Sequence, residues 1–205
     1  MIVLLVLGAC ASSPPPPAKP EPVPPSIAPA RDVVIAVQAR LVELAKAGSD
    51  MGFDERRSAL MELGRDAFDL PLMARLSYGR GWPGLTAAQQ RLFIDTFTLF
   101  RCSAVAKLNS RYRGQIYRFT GYEKLAEDRV LIRTGLRYPN RALEIVIDYQ
   151  LIRMGGRWKV VDRYSPSSVS EIAMRRSEYQ TLLEKEGFAG LIHDMERRIQ
   201  GYASQ

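Results

Sequence analysis

A single histidine, His193, and two cysteines, Cys10 and Cys102, are all that 205 residues offer of the side chains that most often ligate metals or act as activated nucleophiles. A His/Cys metal cluster is excluded on that count. A Ser-His-Asp arrangement would have to use His193, whose neighbours Ile192 and Asp194 place it late on an amphipathic surface helix. There is no Gly-x-Ser-x-Gly elbow and no glycine-rich phosphate loop. Long apolar runs are also missing: Met1 to Ala9 is apolar, but Cys10, serines and a proline run follow, short of the roughly 20 residues a membrane-spanning helix needs. Basic residues occur as separate pairs, Arg175-Arg176 and Arg197-Arg198, without interleaved aromatics, which argues against nucleic acid as a partner.

What is present reads as three segments. Residues 1–10 end in Leu7-Gly8-Ala9-Cys10, where small residues precede a cysteine, the pattern of a lipoprotein signal segment with its lipobox; Cys10 would then be the lipidated residue. No basic residue precedes Lys19, so the true start of such a signal would lie upstream. Residues 11–30 form a proline-rich tether, since nine of the thirteen prolines fall between Pro14 and Pro29. Polyproline II at about 3.1 Å per residue gives it a reach on the order of 55 Å. Residues 31–205 form one domain. With Cys10 lipidated, Cys102 has no disulfide partner and is expected as a buried thiol inside the apolar run Phe97 to Ala106. The net charge of +7 suits anionic headgroups or an acidic protein surface.

Within the domain the hydrophobic period is first helical. Val33, Val34, Val37, Leu41 and Leu44 mark a helix from Arg31 that stops at Gly48, followed by helices over 54–63 and 68–79. Thr86-Ala-Ala-Gln89 is a capping box opening a helix to about Tyr112, with Phe93, Phe97 and Phe100 on one face. After Gly114 the period becomes two. Strands are expected at 115–124, around Val130 to Leu136, over a run in which Leu143, Ile145, Ile147, Tyr149 and Leu151 share one face, and at Trp158 and Val160 beyond a Gly155-Gly156 hairpin. Two helices, 169–186 and 188–200, close the chain. The fold class is therefore α+β: a four-stranded antiparallel sheet covered on one face by N- and C-terminal helices enclosing an apolar pocket.

Glu144, Asp148 and Asp162 are the carboxylates in or beside the sheet that could serve as an acidic base. Alternation puts Glu144 and Asp148 on the solvent face, and no polar group is expected on the inward faces.

Phe68-Asp69-Leu70-Pro71-Leu72-Met73-Ala74-Arg75, followed by Gly79-Arg80-Gly81-Trp82, resembles the MlaC (toluene tolerance) family of lipid-binding auxiliary proteins of ABC transporters. Further segments agree in order: Thr86-x-x-Gln89 with Phe93 and Phe97, Tyr112-Arg113-Gly114, Val130-x-Ile132-Arg133-Thr134, Asp148-Tyr149-x-Leu151, Trp158-Lys159-Val160-x-Asp162 and Glu186-Gly187-Phe188-x-Gly190-Leu191. The resemblance spans most of Arg31 to Ile199. It departs from the family at Ser165-Pro166-Ser167-Ser168, and in the tether, where typical members diffuse freely.

The resemblance implies a periplasmic, non-enzymatic protein with no cofactor, holding a phospholipid or other diacyl lipid between sheet and helices. Its partners would be an inner-membrane ABC transporter complex and an outer-membrane lipoprotein complex, and a hopanoid-associated branch of the family is also similar. It would act as a monomer, held at the outer membrane through Cys10. Pocket candidates are Phe68, Met73, Leu76, Trp82, Phe93, Phe97, Phe100, Val130, Ile132, Ile147, Tyr149, Leu151, Trp158 and Val160, each of which plain core packing would explain equally well. A structural or assembly-adaptor envelope lipoprotein, and a small enzyme acting on an apolar substrate, are the competing readings.

Overall fold

Pro29, the last proline of the N-terminal run, sits in the first turn of a helix, where its missing N–H leaves no bond unmade and its fixed φ is already helical. That helix, α1 (Ala28–Ala47), begins three residues before the position its apolar period suggests. Ile27 and Ala30 are buried with Val34 against the sheet, so the end of the proline-rich segment is part of the packed structure. The computed structural model describes residues 22–165 and 168–204; Cys10, the signal segment and residues 11–21 of the tether lie outside the described residues.

Helices α2 (Phe53–Ala67) and α3 (Leu70–Tyr78) follow, then a 3-10 segment (Gly79–Gly84) and α4 (Ala87–Leu108). The capping box forms as its spacing requires: Thr86 Oγ1 accepts from Gln89 N, and Gln89 Oε1 accepts from Thr86 N at 2.9 Å. α4 stops at Leu108 rather than near Tyr112, with Asn109 as its C-cap residue. The last helix, α5 (Glu171–Ala203), runs through both predicted C-terminal helices, and the break between them is a kink at Gly187 (φ 68°). That left-handed conformation favours glycine. The kink folds Glu186 over the following turn, where a Cβ on residue 190 would collide with the Glu186 side chain, so Gly190 is required as well.

The four expected strands all form, within a six-stranded antiparallel sheet rather than a four-stranded one. β1 (Ile116–Ala126), β2 (Arg129–Arg137), β4 (Asp148–Met154), β5 (Arg157–Ser165) and β6 (Val169–Ser170) lie in that spatial order, and β3 (Ile145–Val146) pairs with β2. The third expected strand is thus split at Ile147. Leu143 leaves the shared face altogether: it lies in the loop that follows the turn at Pro139 and is 82% exposed. Val169, read as the start of a helix, instead pairs with Ser165.

In β5 the pairing slips between Gln150 and Leu151, so that Val161 is an extra residue and Val160, Val161 and Asp162 are all buried. Such a run has cover on both sides, and β5 touches α1, α2, α3 and α5. The interior falls into three apolar clusters: one among α3, α4 and α5, one between α1 and the sheet, and a smaller one where α1, α2 and α4 meet around Leu44, Leu60 and Cys102.

Candidate functional site

The connection between α2 and α3 is laid directly on the sheet. Phe68 makes a parallel β-bridge with Val160, and Asp69 N donates to Val160 O at 2.9 Å. Lys159 Nζ donates to the carbonyls of Arg65 and Asp66, placing a cation at the C-terminal end of α2, where the helix dipole favours it. Asp69 then caps α3 by accepting from Leu72 N at 3.0 Å, with Pro71 in the first turn. Gly64 lacks the Cβ that would press on Leu70, allowing the two helices to approach. The segment Phe68 to Met73 is therefore a junction, fixed from both ends.

The fourteen candidate pocket residues divide at that junction. Met73, Leu76, Trp82, Phe93, Phe97 and Phe100 belong to the helical cluster, with Tyr78 and Trp82 meeting Phe93 edge to face. Val130, Ile132, Ile147, Tyr149, Leu151, Trp158 and Val160 belong to the sheet cluster. Only Phe68 of the fourteen packs against both.

Beside Phe68 runs an ionic chain that is largely buried at Arg101 and Glu171 and reaches solvent at Arg163, which is 39% exposed. Arg101 of α4 and Arg163 of β5 both pair with Glu171 at the start of α5, at 2.6 and 3.1 Å, and the Arg101 guanidinium lies 4.9 Å from the Phe68 ring centre. Side-chain exposures of 11% for Arg101 and 14% for Glu171 mean that little water screens this pair. Burial alone would raise the Glu171 carboxyl, but Arg101 and Arg163 outweigh it and hold it below its ordinary value. Burial likewise would lower Arg163, and Glu171 reverses that. Tyr149 and Tyr117 are pushed up by burial, so both hydroxyls stay protonated.

The expectation that the inward faces carry no polar group is thus corrected. Besides the ionic chain, Gln38 of α1 donates to Thr134 Oγ1 at 2.9 Å, and Thr134 in turn donates to the Ile147 carbonyl, all buried against the sheet. Asp162 is buried too. Its carboxylate accepts from Ser170 Oγ, Ile172 N and Arg163 N, which commits it to anchoring the start of α5 rather than to acting as a base. Glu144 pairs with Arg118 at 3.0 Å, and Asp148, half-buried and raised by that burial, accepts from Thr134 N. His193 is exposed. Cys102 is buried, and burial raises its thiol. Among the described residues, no group of three or more His, Cys, Asp or Glu side chains is placed to hold a metal ion.

Sequence reasoning missed Arg101, Arg163 and Glu171. The one signal available was Arg101 standing inside an otherwise apolar helical run.

One open groove and one small cavity adjoin the junction, and a second groove lies farther along, between the end of α3 and α5. A groove of about 570 Å³ between α2, α3 and α4 is lined by Met61, Arg65, Phe68, Leu70, Pro71 and Leu99, among others. Phe68 and Leu70 form its inner wall and also line an interior cavity of about 40 Å³ reaching Val37, Leu60 and Cys102. That cavity has room for only one or two water-sized groups. A second groove of about 700 Å³ holds Leu76 and Trp82 among Arg75, Arg80 and Arg176.

Among the described residues, no helix is long and apolar enough to cross a membrane. The family model described as MlaC protein matches residues 36–197. Among solved structures, the chain is similar to a phospholipid-binding protein from Ralstonia solanacearum, determined in complex with a phospholipid. The two share 19% identity and superpose with a TM-score of 0.71, covering 85% of this chain and 98% of that one, which establishes a common fold. Comparison with curated proteins finds no match.

Proposed function

Because the chain belongs to the MlaC family, we propose that it is a periplasmic lipid carrier that receives a phospholipid from one envelope membrane complex and gives it to another. In this reading Cys10 is acylated and holds the protein near the outer membrane, and its partners are an inner-membrane ABC transporter complex and an outer-membrane lipoprotein complex. Binding rather than bond-breaking is the role these side chains suit, because the buried carboxylates Glu171 and Asp162 are committed to arginines or to helix capping.

The observation that carries the proposal is the division of the interior. Phe68 packs against both apolar clusters, and an open groove that it lines with Leu70, Pro71, Ile94 and Leu99 leads to it. A chain inserted there would lie between the clusters and leave the packing within each in place. Burial of about 15 methylene-sized groups gains on the order of 10 kcal/mol at about 0.8 kcal/mol each, enough to extract a lipid and enough to require a partner for release. The phospholipid held by the similarly folded Ralstonia protein supports the same ligand class.

The test is mass spectrometry of organic extracts from the full chain carrying Cys10→Ser, which removes any covalent acyl group. One glycerophospholipid per protein is the expected result. A phosphorus-free triterpenoid extract would reassign the ligand to the hopanoid class. An extract without stoichiometric lipid would overturn the carrier reading in favour of a structural envelope protein.

A further inference from the structure

The two ends of the molecule differ in charge. At one pole lie the β1–β2 turn at residues 127–128 and the Gly155-Gly156 hairpin, against which Ile27 packs as the chain enters α1. The twenty residues of α1 then carry the chain about 30 Å at 1.5 Å per residue to the opposite pole. There Lys46 lies 5.4 Å from the ring centre of Tyr112, and Pro139 abuts Gly114. This second pole gathers the end of α4, the loop 109–115, the Ile116–Arg137 pairing and the loop 138–144.

Those segments contain almost no acid. Residues 103–122 and 129–143 hold no Asp or Glu at all. Lys46, Lys107, Arg111, Arg113, Arg137 and Arg141 form no ion pair among the described residues, whereas about half of the domain's other arginines do. The acids nearby are Glu43, paired with Arg40, then Asp50, Asp54 and Glu55 around the turn from α1 to α2, of which Asp54 pairs with Arg57, and Glu144, which is already paired with Arg118. Between the cations project Leu143, Leu108 at 76% exposure and Ile116 at 60%; these are the three most exposed large apolar side chains of the described residues. Exposed leucines set among unpaired cations suit one surface above others, because the cations meet phosphates while the leucines enter the boundary of the acyl region. An acidic protein would satisfy the arginines and leave the protruding leucines without a defined pocket.

We propose that this pole is a docking surface for an anionic phospholipid bilayer. It lies about 30 Å from the place where the N-terminal segment joins the domain, so the docked surface and the attachment point sit at opposite ends. The proposal does not depend on a lipid being carried inside.

Vesicle flotation of the full chain carrying Cys10→Ser tests it. The protein should float with phosphatidylcholine–phosphatidylglycerol vesicles, remain behind with pure phosphatidylcholine, and be released by salt. Each basic side chain contributes about fivefold to partitioning at such a surface. Arg111→Glu with Arg141→Glu should therefore lower binding by at least about twentyfold, and Leu108→Ser with Leu143→Ser by roughly tenfold. Arg129→Glu with Arg157→Glu makes the same change in net charge at the opposite pole and should leave binding within about twofold. All six positions are exposed, so unchanged thermal melting and lipid content are expected for each variant. Equal loss at both poles would show non-specific attraction and overturn the proposal. So would flotation on neutral vesicles, or no flotation of the unsubstituted protein on anionic ones.

Discussion

The helical and sheet clusters hide similar kinds of surface by different means. On the helical side, Tyr78, Trp82, Phe93 and Tyr179, drawn from α3, the 3-10 segment, α4 and α5, meet mostly edge to face, and the phenylalanines of α4 recur with helical periodicity. On the sheet side the buried residues are largely aliphatic, drawn from β2, β4, β5 and the start of α1, and they tolerate a buried Gln38–Thr134 hydrogen bond in their midst. The boundary between them is crossed by Phe68, by the Arg101–Glu171–Arg163 chain, by the bonds of Lys159 to the end of α2 and by the Asp162 cap on α5, so polar links as well as apolar packing join the two sides.

Breaking the ionic chain gives the largest expected effect. Glu171→Ala leaves Arg101 and Arg163 without their shared partner, and a loss of about 3–5 kcal/mol is expected in urea unfolding. Its pH signature has a defined sign. A carboxyl held below its unfolded value contributes stability that is fully present above that value and is lost as pH falls through the folded one. Glu178, which burial would raise but which Arg198 and Arg175 hold low, adds to the same loss. Stability should therefore decline below the ordinary carboxylate range, and Glu171→Gln should flatten that decline.

Phe93→Ala should cost a similar amount, about 3–5 kcal/mol, by removing the ring at the centre of the aromatic cluster. Ile132→Val, its counterpart on the sheet, should cost only about 0.5–1.5 kcal/mol in the same measurement. Gly187→Ala, forced to φ 68°, should cost about 1–2 kcal/mol by thermal melting. Removing the cap with Thr86→Ala should cost about 1 kcal/mol. Tyr179→Phe should be near neutral or stabilising, since the Tyr179 hydroxyl is buried without a partner among the described residues. A large loss there would show that this hydroxyl is satisfied, and that the aromatic cluster is less purely apolar than its rings suggest.

The helical side was the more legible from sequence, and the reason is physical. Caps, first-turn prolines and aromatic periodicity act over three or four residues, so Thr86 to Gln89 and Phe93 to Phe100 announce themselves. Strand alternation was legible wherever pairing continued, as from Val130 to Ile132. It failed at Leu143, where apolar side chains continue the pattern beyond the end of the ladder. The Arg101–Glu171–Arg163 chain joins residues up to 70 positions apart, and no local pattern encodes that meeting. Asp162 escaped for a related reason: the simple period of two aligns it with Trp158 and Val160, and the slip in β5 turns it to the other face, against the start of α5.

That slip gives one strand two masters. Upstream of Val161 the strand keeps time with the sheet through Trp158 and Val160; downstream, Asp162 and Arg163 serve the start of α5 and its glutamate. Deleting one residue would restore a regular ladder and rotate everything after it by half a turn, carrying Arg163 away from Glu171 and Asp162 away from the amides it caps. Any chimera or redesign that replaces this strand with an ideal one would keep a well-formed sheet and lose its correct attachment to the helices.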